Sequence, residues 1–168
     1  MKKICFVVFV AFCFMACASK RLTVEEKAKR AENVACYVDS ALENRDFTVA
    51  MDFMYPLRGG QRNLEYGYDV RLHGDSLYSC LPYFGRAYNV PYGGGKGLNF
   101  SAVIAGYSIK QVKSDRKHVE IYAENDEDKY LYILDVFDDG SADLMVRSNE
   151  RESIRFSGKI VLPDNLIK

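Results

Sequence analysis

From Phe47 onward the apolar residues recur at every second position, in one run after another, and the connections between the runs are short. Phe47, Val49, Met51, Phe53 and Tyr55 alternate with Thr48, Ala50 and Asp52, and Pro56 with Gly59-Gly60 ends the run. A period of two turns one face of a strand to a core and the other to water. Tyr66, Tyr68, Val70 and Leu72 repeat the pattern, and Gly74-Asp75 predicts a tight turn into a partner strand over Leu77 to Leu81, a hairpin. Further strands are expected near Ala102 to Val112, Val119 to Ala123, Tyr130 to Phe137, Ala142 to Arg147 and Ser153 to Val161. Parallel neighbours need a crossover of roughly a dozen residues or more. Turns such as Asp138-Asp139-Gly140 supply none, so the strands should pair antiparallel, as a meander.

A twisted sheet of about eight strands tends to curl. The expected fold is therefore mainly β: a strongly curved antiparallel meander, half-barrel or small barrel, with an N-terminal helix packed on it. Tyr130 to Phe137, apolar on both faces, belongs in the middle of the sheet. The helix is announced by Thr23 and Glu26, the spacing of a capping box, in which hydroxyl and carboxylate each take an orphan backbone amide. Val24, Ala28, Ala31, Ala35, Val38 and Leu42 form one helical stripe ending near Asn44, and that stripe needs a surface to cover.

The chain is 48% hydrophobic and 27% charged, with 12 tyrosines and 10 phenylalanines, which excludes disorder. A membrane-spanning barrel would need an unbroken apolar outer face, and Asp69, Arg71, Lys110, Lys113, Arg155 and Lys159 interrupt it. Basic and acidic residues balance at 23 each, and removing Lys2 and Lys3 leaves 21 against 23. Nucleic-acid binding, which relies on a basic surface to displace counterions, is not expected.

Lys2 and Lys3 precede the uncharged apolar run Ile4 to Met15, the layout of a secretory signal and too short to span a bilayer. Phe14-Met15-Ala16-Cys17 resembles the lipobox of bacterial lipoproteins, with phenylalanine where leucine is usual. We expect residues 1–16 to be a signal peptide, Cys17 the lipidated first residue of the mature chain, 17–22 a tether, and 23–168 one domain. Two acyl chains anchor a protein stably. Cys5 and Cys13 leave with the signal, so Cys36 and Cys80 remain, either joined by a disulfide or buried as two free thiols.

Signals for chemistry are sparse. His73 beside a turn and His118 beside Lys117 are expected to be solvated, and neither stands near a nucleophile motif. Paired histidines or cysteines at metal-binding spacing do not occur, and no metal or cofactor is expected. The acidic Glu124-Asn125-Asp126-Glu127-Asp128 lacks the glycine and distal glutamate of a calcium loop and should be a hairpin turn. Gly93-Gly94-Gly95-Lys96-Gly97 has the wrong spacing for a phosphate loop and should be a flexible connection. Leu81-Pro82-Tyr83-Phe84-Gly85-Arg86-Ala87-Tyr88 is more distinctive, because it holds aromatic rings and an arginine between glycine and proline. It should either plug an open end of the curled sheet or present Tyr83, Phe84, Arg86, Tyr88 and Tyr92 to a small ligand, glycan or protein partner. The leading expectation is a non-catalytic envelope binding module. The alternatives are an envelope hydrolase using scattered carboxylates such as Asp69 and Asp135 as acid and base, or a purely structural envelope component.

At that loop the chain resembles a Bacteroidetes family of envelope proteins, domain of unknown function 4251, over roughly residues 40 to 162. The resemblance rests on the stretch from Leu81 to Tyr88, on Gly97-Leu98-Asn99-Phe100, and on the terminal run through Ile154 and Gly158. It implies export and carries no activity. In that group of bacteria, display on the cell surface tends to follow an acidic run after the anchor cysteine, whereas Ala18-Ser19-Lys20-Arg21 is basic. The resemblance therefore implies a periplasm-facing lipoprotein of the outer membrane. Replacing Cys17 by Ser should move the protein from the membrane to the soluble envelope fraction. Mass spectrometry of the native protein should find an acylated cysteine at its start, and an intact initiator methionine would refute export.

Overall fold

The computed structural model describes residues 23–65, 67–89 and 95–167. Its elements are α1 (Val24–Glu43), β1 (Asp46–Tyr55), β2 (Arg62–Asn63), β3 (Asp69–His73), β4 (Ser76–Leu81), β5 (Leu98–Lys113), β6 (Arg116–Glu124), β7 (Lys129–Phe137), β8 (Ser141–Ser148), β9 (Ile154–Ile160) and a final turn of helix, α2 (Asp164–Ile167). Every strand pair is antiparallel, and β1 pairs with β9, so the meander closes on itself as an eight-stranded barrel with β2 as an extra strand. The curled sheet expected from the sequence thus takes its fully closed form. Closure pairs both edges of the sheet and removes the exposed backbone that an open one would present.

Alternation places one residue in two inside, and the interior is filled. Tyr130, Tyr132, Leu134 and Val136 of β7 point inward with Leu144 and Phe156, all essentially inaccessible to solvent. Eight strands leave a space that side chains alone can occupy, and here they occupy it.

The run from Phe47 to Tyr55 does not keep a single face. A bulge between Met51 and Phe53 leaves Asp52 without a partner on β9. An unpaired residue reverses the side-chain parity. Phe47, Val49 and Met51 point inward, then Met54 does, while Phe53 and Tyr55 turn to the outer wall. Beyond the bulge, β1 exchanges its neighbour β3 for the two-residue β2, a strand too short to show a periodicity.

The capping box forms as expected: the Thr23 amide donates to Glu26 Oε2 at 2.8 Å and the Glu26 amide to Thr23 Oγ1 at 3.2 Å. The buried stripe differs from the expected one. Val34, Val38, Ala41 and Leu42 are buried, whereas Val24, Ala28 and Ala31 face solvent, because α1 seals one end of the barrel with its last turns only. Arg45 follows in the left-handed region (φ 54°). Its carbonyl accepts from the Gly74 amide at 2.9 Å, its guanidinium pairs with Asp75 at 2.7 Å and lies 5.1 Å from the centre of the Tyr107 ring, and Tyr107 donates to the Leu42 carbonyl at 2.6 Å. Burial pushes the Tyr107 hydroxyl up to about 12 despite the nearby Arg45, so it stays a neutral donor at any physiological pH.

Cys36 and Cys80 are not joined. Cys36 is exposed on α1 at one end of the barrel, and Cys80 lies near the C-terminal end of β4, which leads away from that helix.

The seam between β1 and β9 carries the tightest contact. Gly158 stands opposite Met51, and a methyl group there would overlap the Ala50 carbonyl oxygen and come within 2.8 Å of Met51 Cα. Gly158→Ala should therefore lower stability by about 3 kcal/mol or more, measured by urea denaturation. A loss below about 1 kcal/mol would show that the seam can yield.

Candidate functional site

The end of the barrel opposite α1 is built from the loop after β1, residues 82–89 and 95–97 between β4 and β5, the turn after β6 and the turn after β8. Pro82, which lacks an amide hydrogen, follows the last residue of β4. The chain then folds back at Gly85, where a Cβ would stand 2.7 Å from the Tyr83 hydroxyl. That hydroxyl lies 2.7 Å from the Arg86 carbonyl and 3.1 Å from the Glu152 carbonyl, both acceptors of its proton. The Arg86 amide donates to Glu152 Oε2 at 3.1 Å, the Glu152 amide to the Arg86 carbonyl at 3.0 Å, and the Tyr88 amide to the Glu150 carbonyl at 2.7 Å. The loop is thus stitched to the β8–β9 turn as a short antiparallel rung, Ala87 opposite Arg151.

Beneath it the mouth is closed by a network of polar and aromatic groups, in which Arg151 Nε is buried without a hydrogen-bond partner. Arg151, buried, lies 5.5 Å from the Tyr83 ring centre and 3.6 Å from Glu127, whose carboxylate accepts the Lys96 amide at 3.0 Å. Tyr132 donates to Ser79 at 2.9 Å, Ser79 to the Leu98 carbonyl at 2.7 Å, and Tyr130 to the Gly97 carbonyl at 3.2 Å. Phe100 stacks on Tyr130 with ring centres 4.6 Å apart. Desolvation, helped by Glu152, raises the Tyr83 hydroxyl above the usual phenol range, and desolvation with Asp128 does the same to Tyr130. Both phenols are therefore protonated near neutral pH and donate to the carbonyls named above.

The five candidate residues therefore separate. Tyr83 turns inward and plugs the mouth. Phe84, Arg86 and Tyr88 face solvent, Phe84 at 44% and Tyr88 at 69% exposure. Tyr92 lies outside the described residues, as do Cys17 and the signal segment. Arg62, in the short β2, stands with its guanidinium 3.7 Å from the centre of the Phe84 ring. Glu127, Arg151 and Glu152 also belong to this end. No periodicity announces such residues, which are recruited by turns distant in sequence.

The remaining candidates resolve into structural parts. Lys96, at the glycine-rich run, is held by Asp126 at 3.1 Å and by Glu127 through its amide. The acidic turn is an Asx turn in which Asn125 accepts from the Glu127 and Asp128 amides, and Asp128 in turn accepts from Lys129, Ser148, Asn149 and Glu150. No cluster of three metal-ligating side chains occurs among the described residues. Asp69 on β3 and Asp135 on β7 stand four strands apart around an eight-strand ring, on opposite walls, and cannot share a substrate. Asp135 does line an outer depression of about 260 Å³ with Asp143, Arg155 and Tyr55. Its carboxylate, however, is bonded to His118 at 2.7 Å and approached by Arg116 at 3.9 Å. His118 is accordingly half-buried and partnered rather than solvated; His73, beside Asp46 at 3.1 Å, is exposed as expected.

Comparison with known proteins finds a match to the family model described as Domain of unknown function (DUF4251) over residues 29–160. A crystal structure of a DUF4251 family protein from Bacteroides eggerthii DSM 20697 resembles the barrel with a TM-score of 0.61 and 13% identity, over 79% of this chain and 91% of that one. No curated protein matches. Tyr83→Ala should cost about 2 kcal/mol through lost packing and two orphaned carbonyls, whereas Phe84→Ala should cost under about 1 kcal/mol. Thermal and urea unfolding of the two variants measure the difference, and equal losses would mean that Phe84 is also part of the plug.

Proposed function

This chain belongs to the DUF4251 family, and on that premise we propose that it is an exported, lipid-anchored, non-catalytic module that binds an envelope partner through the exposed rim formed by Phe84, Arg86 and Tyr88 with Arg62. The observation that carries this reading is the division of labour within one loop. Tyr83 and the rung to the β8–β9 turn hold the loop in one conformation, and that conformation exposes large aromatic side chains. A loop needed only as a plug has no reason to expose them. Rigid aromatic and arginine side chains give large contact area for little ordering cost, which is why they dominate binding surfaces.

The filled interior argues against a ligand carried inside the barrel, as in wider or emptier eight-stranded barrels. Binding then falls to the outer surface, with a glycan or protein favoured over a small buried molecule. Cys17, as the acylated residue, would anchor the chain six residues before Thr23. The tether then enters α1, which seals the end opposite the rim. A partner in the periplasm therefore meets the rim without competition from the membrane.

The double variant Phe84→Ala/Tyr88→Ala should keep the wild-type unfolding midpoint and lose cross-linking to its partner in envelope extracts. Unchanged cross-linking in the folded variant would refute the reading.

A further inference from the structure

The rim presents three exposed guanidinium groups. Arg58, Arg62 and Arg86 are all exposed there, and among the described residues none of them has a carboxylate within ion-pair distance. At the same end Arg151 pairs with Glu127 and Lys96 with Asp126. In the adjoining β8–β9 turn the Glu152 carboxylate accepts the Arg86 amide and forms no ion pair with the Arg86 guanidinium. The three arginines stand on two neighbouring loops: Gly59, next to Arg58, and Arg62 both flank the Phe84 ring, and a Cβ on Gly59 would lie 3.7 Å from that ring.

We propose that this rim docks an acidic, extended segment of a partner protein, its carboxylates received by Arg58, Arg62 and Arg86 and its chain laid against Phe84 and Tyr88. The proposal rests on the binding reading above and adds the chemistry of the partner. Guanidinium forks match carboxylates in bidentate geometry, and arginine clusters are a recurrent means of reading acidic motifs. A protein segment fits better than an acidic glycan. Sugar binding would call on the flat face of an aromatic ring, and the Arg62 guanidinium already covers one face of Phe84. The arginines are also spread along two loops, as an extended chain requires.

Fluorescence anisotropy of a labelled deca-glutamate peptide against the full mature protein tests this, with deca-lysine and oligogalacturonate as competitors. Deca-glutamate should bind at low salt and weaken as salt is raised. Arg58→Gln/Arg62→Gln/Arg86→Gln should weaken it by about ten-fold or more, and Arg86→Glu alone by a comparable factor. Lys110→Gln/Lys113→Gln, on the exposed β5–β6 hairpin, should leave affinity within about two-fold. Absence of binding, equal loss in the lysine variant, or tighter binding of oligogalacturonate would each overturn the proposal. Partner cross-linking that is lost in Phe84→Ala/Tyr88→Ala but kept in the triple arginine variant would leave the binding rim standing and remove the acidic segment.

Discussion

Closure of β1 against β9 is the constraint from which the rest of the structure follows. It requires that two strands from opposite ends of the domain meet in register from Val49 with Ile160 to Tyr55 with Arg155, that Gly158 carry no side chain, and that Asp52 bulge out of the ladder. Once the ring is closed, every inward position competes for a limited volume, and Tyr132, Phe156 and Leu72 fill it. The lumen is packed, and the ring holds its connecting loops at the two ends.

The two ends are closed by different means. Near α1 the seal is largely apolar, with Leu42 and Val38 inserted and the Arg45 corner tying α1, the β3–β4 turn and Tyr107 together. At the far end the seal is a network: Tyr83, Arg151 and Glu127, with Asp128 gathering donors from the next turn. Buried polar groups cost free energy unless they are satisfied. Apart from Arg151 Nε the groups around the Tyr83 loop are partnered, and their directional bonds fix the loop conformation more sharply than apolar packing would.

Much of this architecture was legible in the sequence because alternation and turn chemistry are local. The strands from Leu77 to Val161, the Gly74-Asp75 hairpin and the Thr23-Glu26 cap all form where those signals lie. What was not legible depended on distant partners. The bulge at Asp52, which sends Tyr55 outward, is set by register with β9, and the outer half of α1 is exposed because only its end meets the barrel. The aromatic loop stood out by composition, but the separation of Tyr83 from Phe84 and Tyr88 arises from hydrogen bonds to Arg86 and Glu152, and no spacing encodes those. Arg62 was missed for the same reason, since a two-residue strand carries no period.

The seam has a bearing on when this polypeptide can become compact. Its first strand waits for the last one, so the ladder that completes the ring joins residues more than a hundred positions apart, Val49 with Ile160. Contacts of such long range form late and slowly. A nascent chain whose final strand is still in the ribosome tunnel is consequently an unfinished sheet with two raw edges. That delay leaves the chain vulnerable to proteases and self-association until its last strand has joined the first.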